Sequence, residues 1–282
     1  MRNYGAPRRA WERLQRTITI GRWPARVAVR MGAGLDVALE HHEITVAGPL
    51  GRAGRLRIGF ASDFHAGPNT PSQMIRNALE RLSAAQPDVV LLGGDYVSLQ
   101  AEYLFELIPL FAALRPPLGC CAVLGNHDYW ADADMIRTAL RTAGIRVLHN
   151  ECVALPDPFA NVTVCAIDDH TSGAPDADAA FRGSGGVRVL LMHGPSSLLD
   201  VGERDFDVAL CGHTHGGQIA TTSGRPIVVA HGALSRRYNA GRYMLDAGGT
   251  LLVSRGVGFG GVLPLRYNAP AAVMVCTVVG QP

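Results

Sequence analysis

Lysine is absent from this chain: all 26 basic residues are arginine, set against 24 acids, for a net charge of +2. That balance provides no broad basic field of the kind nucleic-acid binders carry, so no nucleic-acid partner is expected. Aromatic residues make up only 6% of a chain that is 48% apolar, so a sizeable core has to be mostly aliphatic. No C-x-x-C pair occurs among the six cysteines at 120, 121, 152, 165, 211 and 276. Most of them sit inside apolar runs, which excludes a disulfide framework and reads as buried thiols in a reducing compartment. No stretch approaches the roughly 18 apolar residues of a spanning helix. Nor is there an apolar core like that of a signal peptide: Arg8 and Arg9 form a twin-arginine pair, but the residues behind them are too charged. A cytoplasmic location is expected. There is no internal repeat and no low-complexity segment.

One composition shift stands out. The first thirty residues hold eight arginines and one acid, Glu12. As a helix, "RRAWERLQRTI" aligns Trp11, Leu14 and Ile18 on one face with arginine around them. Two readings stay open: a peripheral contact with an anionic membrane through residues 1–30, or a solvated arm. The expected division is a basic extension over 1–50, joined through Gly48 to Gly54 to the main domain over 51–282.

From residue 56 strands and helices alternate as a βαβαβ run. "LRIGFAS", "DVVLLGG" and "GCCAVLG" read as strands. "TPSQMIRNALERLSAA" reads as a helix with Thr70 at the N-cap, Pro71 at the first helical position and Gln73 completing a capping box. "AEYLFELIPLFAAL" is expected to be the next helix, and another covers 132–143. Residues 168–186 read as a mobile surface loop or a single helical turn, between strands near 162–167 and 187–192. The remainder, after a strand at 207–211, is mostly β.

Polar residues with metal-ligand chemistry follow the apolar strands directly. "ASDFH" supplies Asp63 and His65, "LGGDY" supplies Asp95, and "LGNHD" supplies Asn126, His127 and Asp128. "VLLMHG" adds His193, and "CGHTHGG" adds His213 and His215 among glycines. In an α/β sheet the carboxyl ends of parallel strands share one edge, where ligands bind, and glycine allows close backbone approach. Three carboxylates or amides and four histidines exceed the four or so ligands of one zinc. They suit two divalent ions sharing a carboxylate, with manganese first and iron or zinc as alternatives. Cys211, within its strand, reads as core.

Taken in order, D-x-H, G-D, G-N-H-D, H and G-H-x-H, these blocks resemble the calcineurin-like metallophosphoesterases across residues 63–215. The resemblance implies an α/β fold, a two-sheet β-sandwich flanked by helices, with a dimetal site at one edge. It implies that Asp63, His65, Asp95 and His215 hold one ion, and that Asp95, Asn126, His193 and His213 hold the other. Asp95 is then the bridge. A finer similarity, carried by "GNHDYW", "GHTHGGQ" and "SRGVGFGGVLPLRYNAP" (254–270), is to bacterial phosphodiesterases and UDP-2,3-diacylglucosamine pyrophosphatases.

The expected activity is hydrolysis of a phosphoester, as a phosphodiesterase or pyrophosphatase acting on a small molecule or a nucleotide-linked lipid. A cyclic-nucleotide phosphodiesterase or phosphomonoesterase is the alternative, and a non-catalytic scaffold a more distant one. His127 is placed to protonate the leaving oxygen, with Asp128 to orient it. Tyr96, Tyr129 and Trp130 lie beside ligands, where they line either the substrate or the core. Arg255 and Arg266 are candidates to clamp a second phosphate, and His231, Arg236 and Tyr238 are weaker candidates. His41, His42, His149 and His170 read as structural.

Overall fold

The computed structural model describes residues 6–30, 32, 35–246, 248–261 and 264–281, the side chains of 6–9, 11 and 12 excepted. Its strands form two six-stranded sheets. The first has the order β1-β12-β2-β3-β4-β5, with β1 Ala38–Val46, β2 Arg55–Ala61, β3 Val89–Leu92, β4 Cys120–Ala122, β5 Arg146–Val147 and β12 Ala272–Gly280. The second has the order β10-β11-β9-β8-β7-β6, with β6 Glu151–Ala154, β7 Val162–Ala166, β8 Val187–Leu191, β9 Val208–Cys211, β10 Gly241–Met244 and β11 Thr250–Val253. Strands β2 to β5 are mutually parallel, as are β7, β8, β9 and β11. Among the named strands of the described residues, antiparallel pairs occur only where β12 meets β2, β10 meets β11 and β6 meets β7.

Strand alternation divides the core into layers. Leu56, Ile58 and Phe60 of β2 and Met274, Cys276 and Val278 of β12 point between the sheets, where they meet Val162, Val164, Val189 and Leu191 of the second sheet. The intervening Val273 and Val275 face outward against helices. On that side lie α3 (Ser72–Ala84), α4 (Ile108–Ala112) and α6 (Ala133–Thr142), with the short α5 (Asn126–Ala131) leading into α6. The outer face of the second sheet is covered by α7 (Ala177–Ala180) and α8 (Leu198–Val201). Two further helices, α1 (Ala6–Ile18) and α2 (Trp23–Arg30), precede β1. The expected two-sheet sandwich with flanking helices is the observed architecture.

Several local expectations change under tertiary contacts. Helix α3 forms because Met74, Ile75, Ala78, Leu79 and Leu82 make one buried stripe. Its capping box does not form, however: the helix starts at Ser72 behind Pro71, the Thr70 hydroxyl accepts from the Phe259 N–H at 3.1 Å, and Gln73 donates to Asn77. The segment 101–114 is not one helix. A 3-10 turn, Ala101–Glu106, precedes α4, whose first turn holds Pro109, a residue with no N–H to continue an upstream helix. Strand β1 lies on the N-terminal side of Gly48 yet pairs in parallel with all nine residues of β12. Residues 38–46, within the segment that composition marks as an extension, therefore form an edge strand of the first sheet.

Candidate metal centre

The carboxyl ends of β2, β3, β4, β8 and β9 open onto one edge, and the loops that leave them are laced together. The Asp63 N–H donates to Gly94 O at 2.8 Å, that of His65 to Asp95 O at 3.0 Å, and that of Gly212 to His193 O at 2.8 Å. Backbone strain concentrates here. Among the described residues ten non-glycine positions have positive φ, and five of them are Asp63 (54°), His65 (44°), Asp95 (54°), His213 (70°) and His215 (54°). Left-handed backbone costs such residues on the order of 1–3 kcal/mol each and persists where the surroundings enforce it, typically at functional sites. Two glycines are required by close approach. A Cβ at Gly212 would lie 2.1 Å from Asp63 Oδ2, and one at Gly125 would lie 2.3 Å from Asp95 Oδ1.

The side chains converge in two groups. In one, His65 Nε2 lies 3.0 Å from His215 Nε2 and 3.6 Å from Asp95 Oδ2, while His215 Nε2 is 3.6 Å from Asp63 Oδ1. In the other, His193 Nε2 lies 3.1 Å from both Asn126 Oδ1 and His213 Nδ1 and 3.4 Å from Asp95 Oδ2. Ligand atoms about 2.0–2.1 Å from a common ion are separated by roughly 3.3 Å in tetrahedral geometry, so these spacings match edges of a coordination shell. Asp95 Oδ2 belongs to both groups. The donors are all nitrogen and oxygen; Cys211, fully buried in β9, contributes to the core beneath. This donor set fits two divalent cations of borderline or hard character.

Outer contacts set which nitrogen each ring presents. His193 Nδ1 is 2.8 Å from Gly93 O, and His213 Nε2 is 2.5 Å from His231 O. Each ring thereby donates through one nitrogen and turns the other toward the donor group. His127 Nδ1 lies 2.9 Å from Ser98 O, which turns Nε2 to the cavity, and its own N–H donates to Asp95 Oδ1 at 2.8 Å. Asp128, expected to orient His127, also ties backbone together. Its carboxylate accepts from the backbone N–H groups of Asp95, Tyr96 and Gly125, at 2.8, 2.8 and 2.9 Å, and so clamps the β3 and β4 loops together.

Burial dominates the electrostatics. It pushes the Asp63 carboxyl up to about 6 and Asp128, with the Asp95 charge adding, to about 8. It pushes the His65 and His213 imidazoles down to about 3 and about 4, and His215 well below its ordinary value. Burial opposes ionisation of Asp95 and His193 too, but their mutual attraction outweighs it, holding Asp95 well below and His193 well above the usual range. Three of the four ring ligands are therefore neutral near pH 7, the state that ligation needs.

A cavity of about 490 Å³ opens over the site between His127, Trp130, Thr171, Ala230, His231 and Gly260. Of the candidate substrate residues, Trp130 and the weaker candidate His231 border it, the Trp130 ring 4.6 Å from that of His127. Tyr96 is core, stacked on Phe64 with its hydroxyl donating to Val123 O at 3.1 Å. Tyr129 is turned away and donates to Asp168. Neither Arg255 nor Arg266 is among the described residues that line the cavity. Arg255 pairs with Glu40, and the guanidinium of Arg266 is spent on the carbonyls of Arg255, Gly258 and Ala269, 3.2 Å from His215 Nδ1. Tyr238 packs on Tyr243.

Two acids on the loop after β7, read from sequence only as part of a surface loop, also shape the site. Asp168 is buried, bonded by Tyr129, by His149 Nε2 at 3.0 Å and by the Ala174 N–H at 2.7 Å. Asp169 accepts from the Thr171 and Ser172 N–H groups and shapes the turn that brings Thr171 to the cavity. The available signal was the same as for Asp63: an acid pair at the end of an apolar strand.

The calcineurin-like phosphoesterase superfamily domain matches residues 56–247. An uncharacterized metallophosphoesterase of Aquifex aeolicus is 32% identical over 240 residues, covering 80% of this chain and 86% of that protein. Phosphodiesterase YaeI of Escherichia coli is 30% identical over 238 residues, covering 80% and 83%. An uncharacterized metallophosphoesterase of Helicobacter pylori is 30% identical over 226 residues, of which this chain spans 58% of the length. A dimetal phosphatase from Danio rerio aligns with a TM-score of 0.46 at 11% identity, over 72% of this chain and 88% of that one.

Proposed function

This chain belongs to the calcineurin-like phosphoesterase superfamily, and from that membership and the paired donor groups we propose that it is a dinuclear-metal phosphodiesterase. One observation carries the reading: Asp95 Oδ2 stands 3.4–3.6 Å from an imidazole nitrogen of each donor group. Asp63, His65, Asp95 and His215 hold one ion, and Asp95, Asn126, His193 and His213 the other. Manganese is the native metal of this proposal, supported by mixed N and O donors without thiolate.

Two divalent ions bound there supply Lewis acidity toward a phosphoryl oxygen and a water acidic enough to attack phosphorus. The residues do the rest. Asp95, fixed through Oδ1 by the His127 N–H, presents Oδ2 to both positions. His127, anchored through Nδ1 on Ser98 O, carries a proton on Nε2 in its cationic form and passes it to the leaving oxygen. The cavity volume suits a small molecule, and no arginine is among the described residues that line it. That absence favours a monoanionic diester over a dianionic monoester. Trp130 at the wall offers a stacking surface to a base, which supports a nucleotide-linked substrate, UDP-2,3-diacylglucosamine being the specific candidate. The six free cysteines, five of them buried, support a reducing, cytoplasmic setting.

The deciding experiment compares manganese-reconstituted and chelator-stripped protein on bis-p-nitrophenyl phosphate, p-nitrophenyl phosphate and UDP-2,3-diacylglucosamine. Metal-dependent turnover of the diester above the monoester is expected. UMP release from the lipid would fix the substrate as nucleotide-linked, and its absence beside diester turnover would remove the lipid assignment alone. A protein that binds two metals and hydrolyses no ester would be a scaffold.

A further inference from the structure

The N-terminal helices are pinned on one side and bare on the other. Helix α2 buries Pro24, Ala25 and Ala28. The Ala25 N–H donates to Pro68 O at 3.2 Å, and Arg22 reaches Glu106 at 2.9 Å, Gly67 O at 3.3 Å and Ser72 Oγ at 3.3 Å. Further up, Arg16 donates to Leu99 O at 3.2 Å. These contacts fall on the loop that follows His65 and on the residue after Ser98, which anchors His127. The pair of helices is thus seated against the loops that shape the candidate metal centre.

The opposite side carries apolar surface. Of thirteen exposed large apolar side chains among the described residues, six lie between residues 14 and 29, including Leu14 (47% exposed), Ile18 (44%), Ile20 (72%), Trp23 (43%) and Val27 (39%). On α2 the i, i+4 row of Trp23 and Val27 runs beside the exposed row of Arg26 and Arg30. Arg13 and Arg16 are also exposed. Trp11, expected on the same stripe, lies outside the described side chains.

We propose that this outer face docks on an anionic lipid bilayer. Charge selects the occupant: the first thirty residues hold eight arginines and one acid, and the exposed Arg13, Arg26 and Arg30 attract anionic headgroups, whereas a second copy of the chain would set like charges against them. Aliphatic residues and a tryptophan between arginines suit the boundary between headgroups and acyl chains. At 13 and 8 residues the helices are well short of the roughly 20 needed to span a bilayer, so they lie on it. The docking face is independent of the hydrolase reading.

The test is co-sedimentation of the full chain with phosphatidylcholine vesicles, with and without phosphatidylglycerol, across a salt series. Binding only to the anionic vesicles, weakening with salt, is expected. Neutralising two arginines, in the Arg26→Gln/Arg30→Gln double variant, lowers partitioning by about thirtyfold at low salt, and Ile20→Ser/Trp23→Ser weakens it further. Both variants retain wild-type melting and metal-dependent turnover of a soluble ester, which separates lost docking from lost folding. No pelleting, equal pelleting with neutral vesicles, or pelleting indifferent to both variants would overturn the proposal. So would self-association in light scattering that disappears with Trp23→Ser, since the face would then belong to a second copy.

Discussion

At the residue scale, Asp95 is the side chain whose loss tells most. It is 2% exposed, with one oxygen held by a backbone N–H and the other facing both donor groups. Asp95→Asn keeps the shape and removes the charge, so occupancy of both ions should fall, read as metal per chain after gel filtration; two ions retained at full occupancy would dismiss the bridge. His127 is a separate matter, since it stands beside a ligand. His127→Ala should keep its metals and lose about 10²–10⁴-fold in rate with an alkyl leaving group, and much less with nitrophenolate, which leaves without a proton. Equal losses for both would make the ring a prop. Every proposed ligand was legible because each follows an apolar strand directly, an arrangement the chain repeats five times. The role of Asp128 was not, because the three N–H groups it accepts belong to two loops 30 residues apart in sequence.

At the scale of elements, the loops are shaped as much by missing side chains as by present ones. Gly212 ends β9 with no room beside Asp63, since a Cβ there would stand 2.1 Å from both Asp63 Oδ2 and Ser62 Oγ. Gly212→Ala must displace the carboxylate. The expected result is preferential loss of the ion shared by Asp63, His65 and His215, with the chelated protein destabilised by about 1–3 kcal/mol as for other overpacked cores. Calorimetry beside metal analysis checks both, and unchanged metal content would show that the loop shifts without cost to the site. The same scale marks the limit of sequence reading. Apolar periodicity located β2, β3, β4, β8 and β9 because burial dictates it. The caps and breaks answered to other parts of the chain: Thr70 left its expected cap for Phe259, and β1 is recognisable only beside β12, more than 200 residues later.

For the whole molecule, the cluster couples metal binding to protons and to stability. Without cations, burial holds Asp63 protonated up to about pH 6, and the Asp95 charge outweighs burial to keep His193 protonated well above the ordinary histidine range. Ligation needs Asp63 ionised and His193 Nε2 bare, so ion binding expels protons and apparent affinity falls as pH drops. His65 and His213, at about 3 and about 4, are already neutral near pH 7 and release nothing. Manganese titrations in buffers of different ionisation enthalpy should therefore show proton release that is larger near about pH 6 than near about pH 8. No release at the lower pH would mean that the Asp95–His193 pair is not ionised in the cation-free protein. Because the folded chain binds the ions and the unfolded chain lacks the site, free metal at a hundred times its dissociation constant adds about 2.7 kcal/mol for each ion. Chelation should then lower the melting temperature by about 5 to 10 °C per ion at neutral pH. The same chelation should matter progressively less on acidification, as protons take the places of the cations on Asp63 and His193.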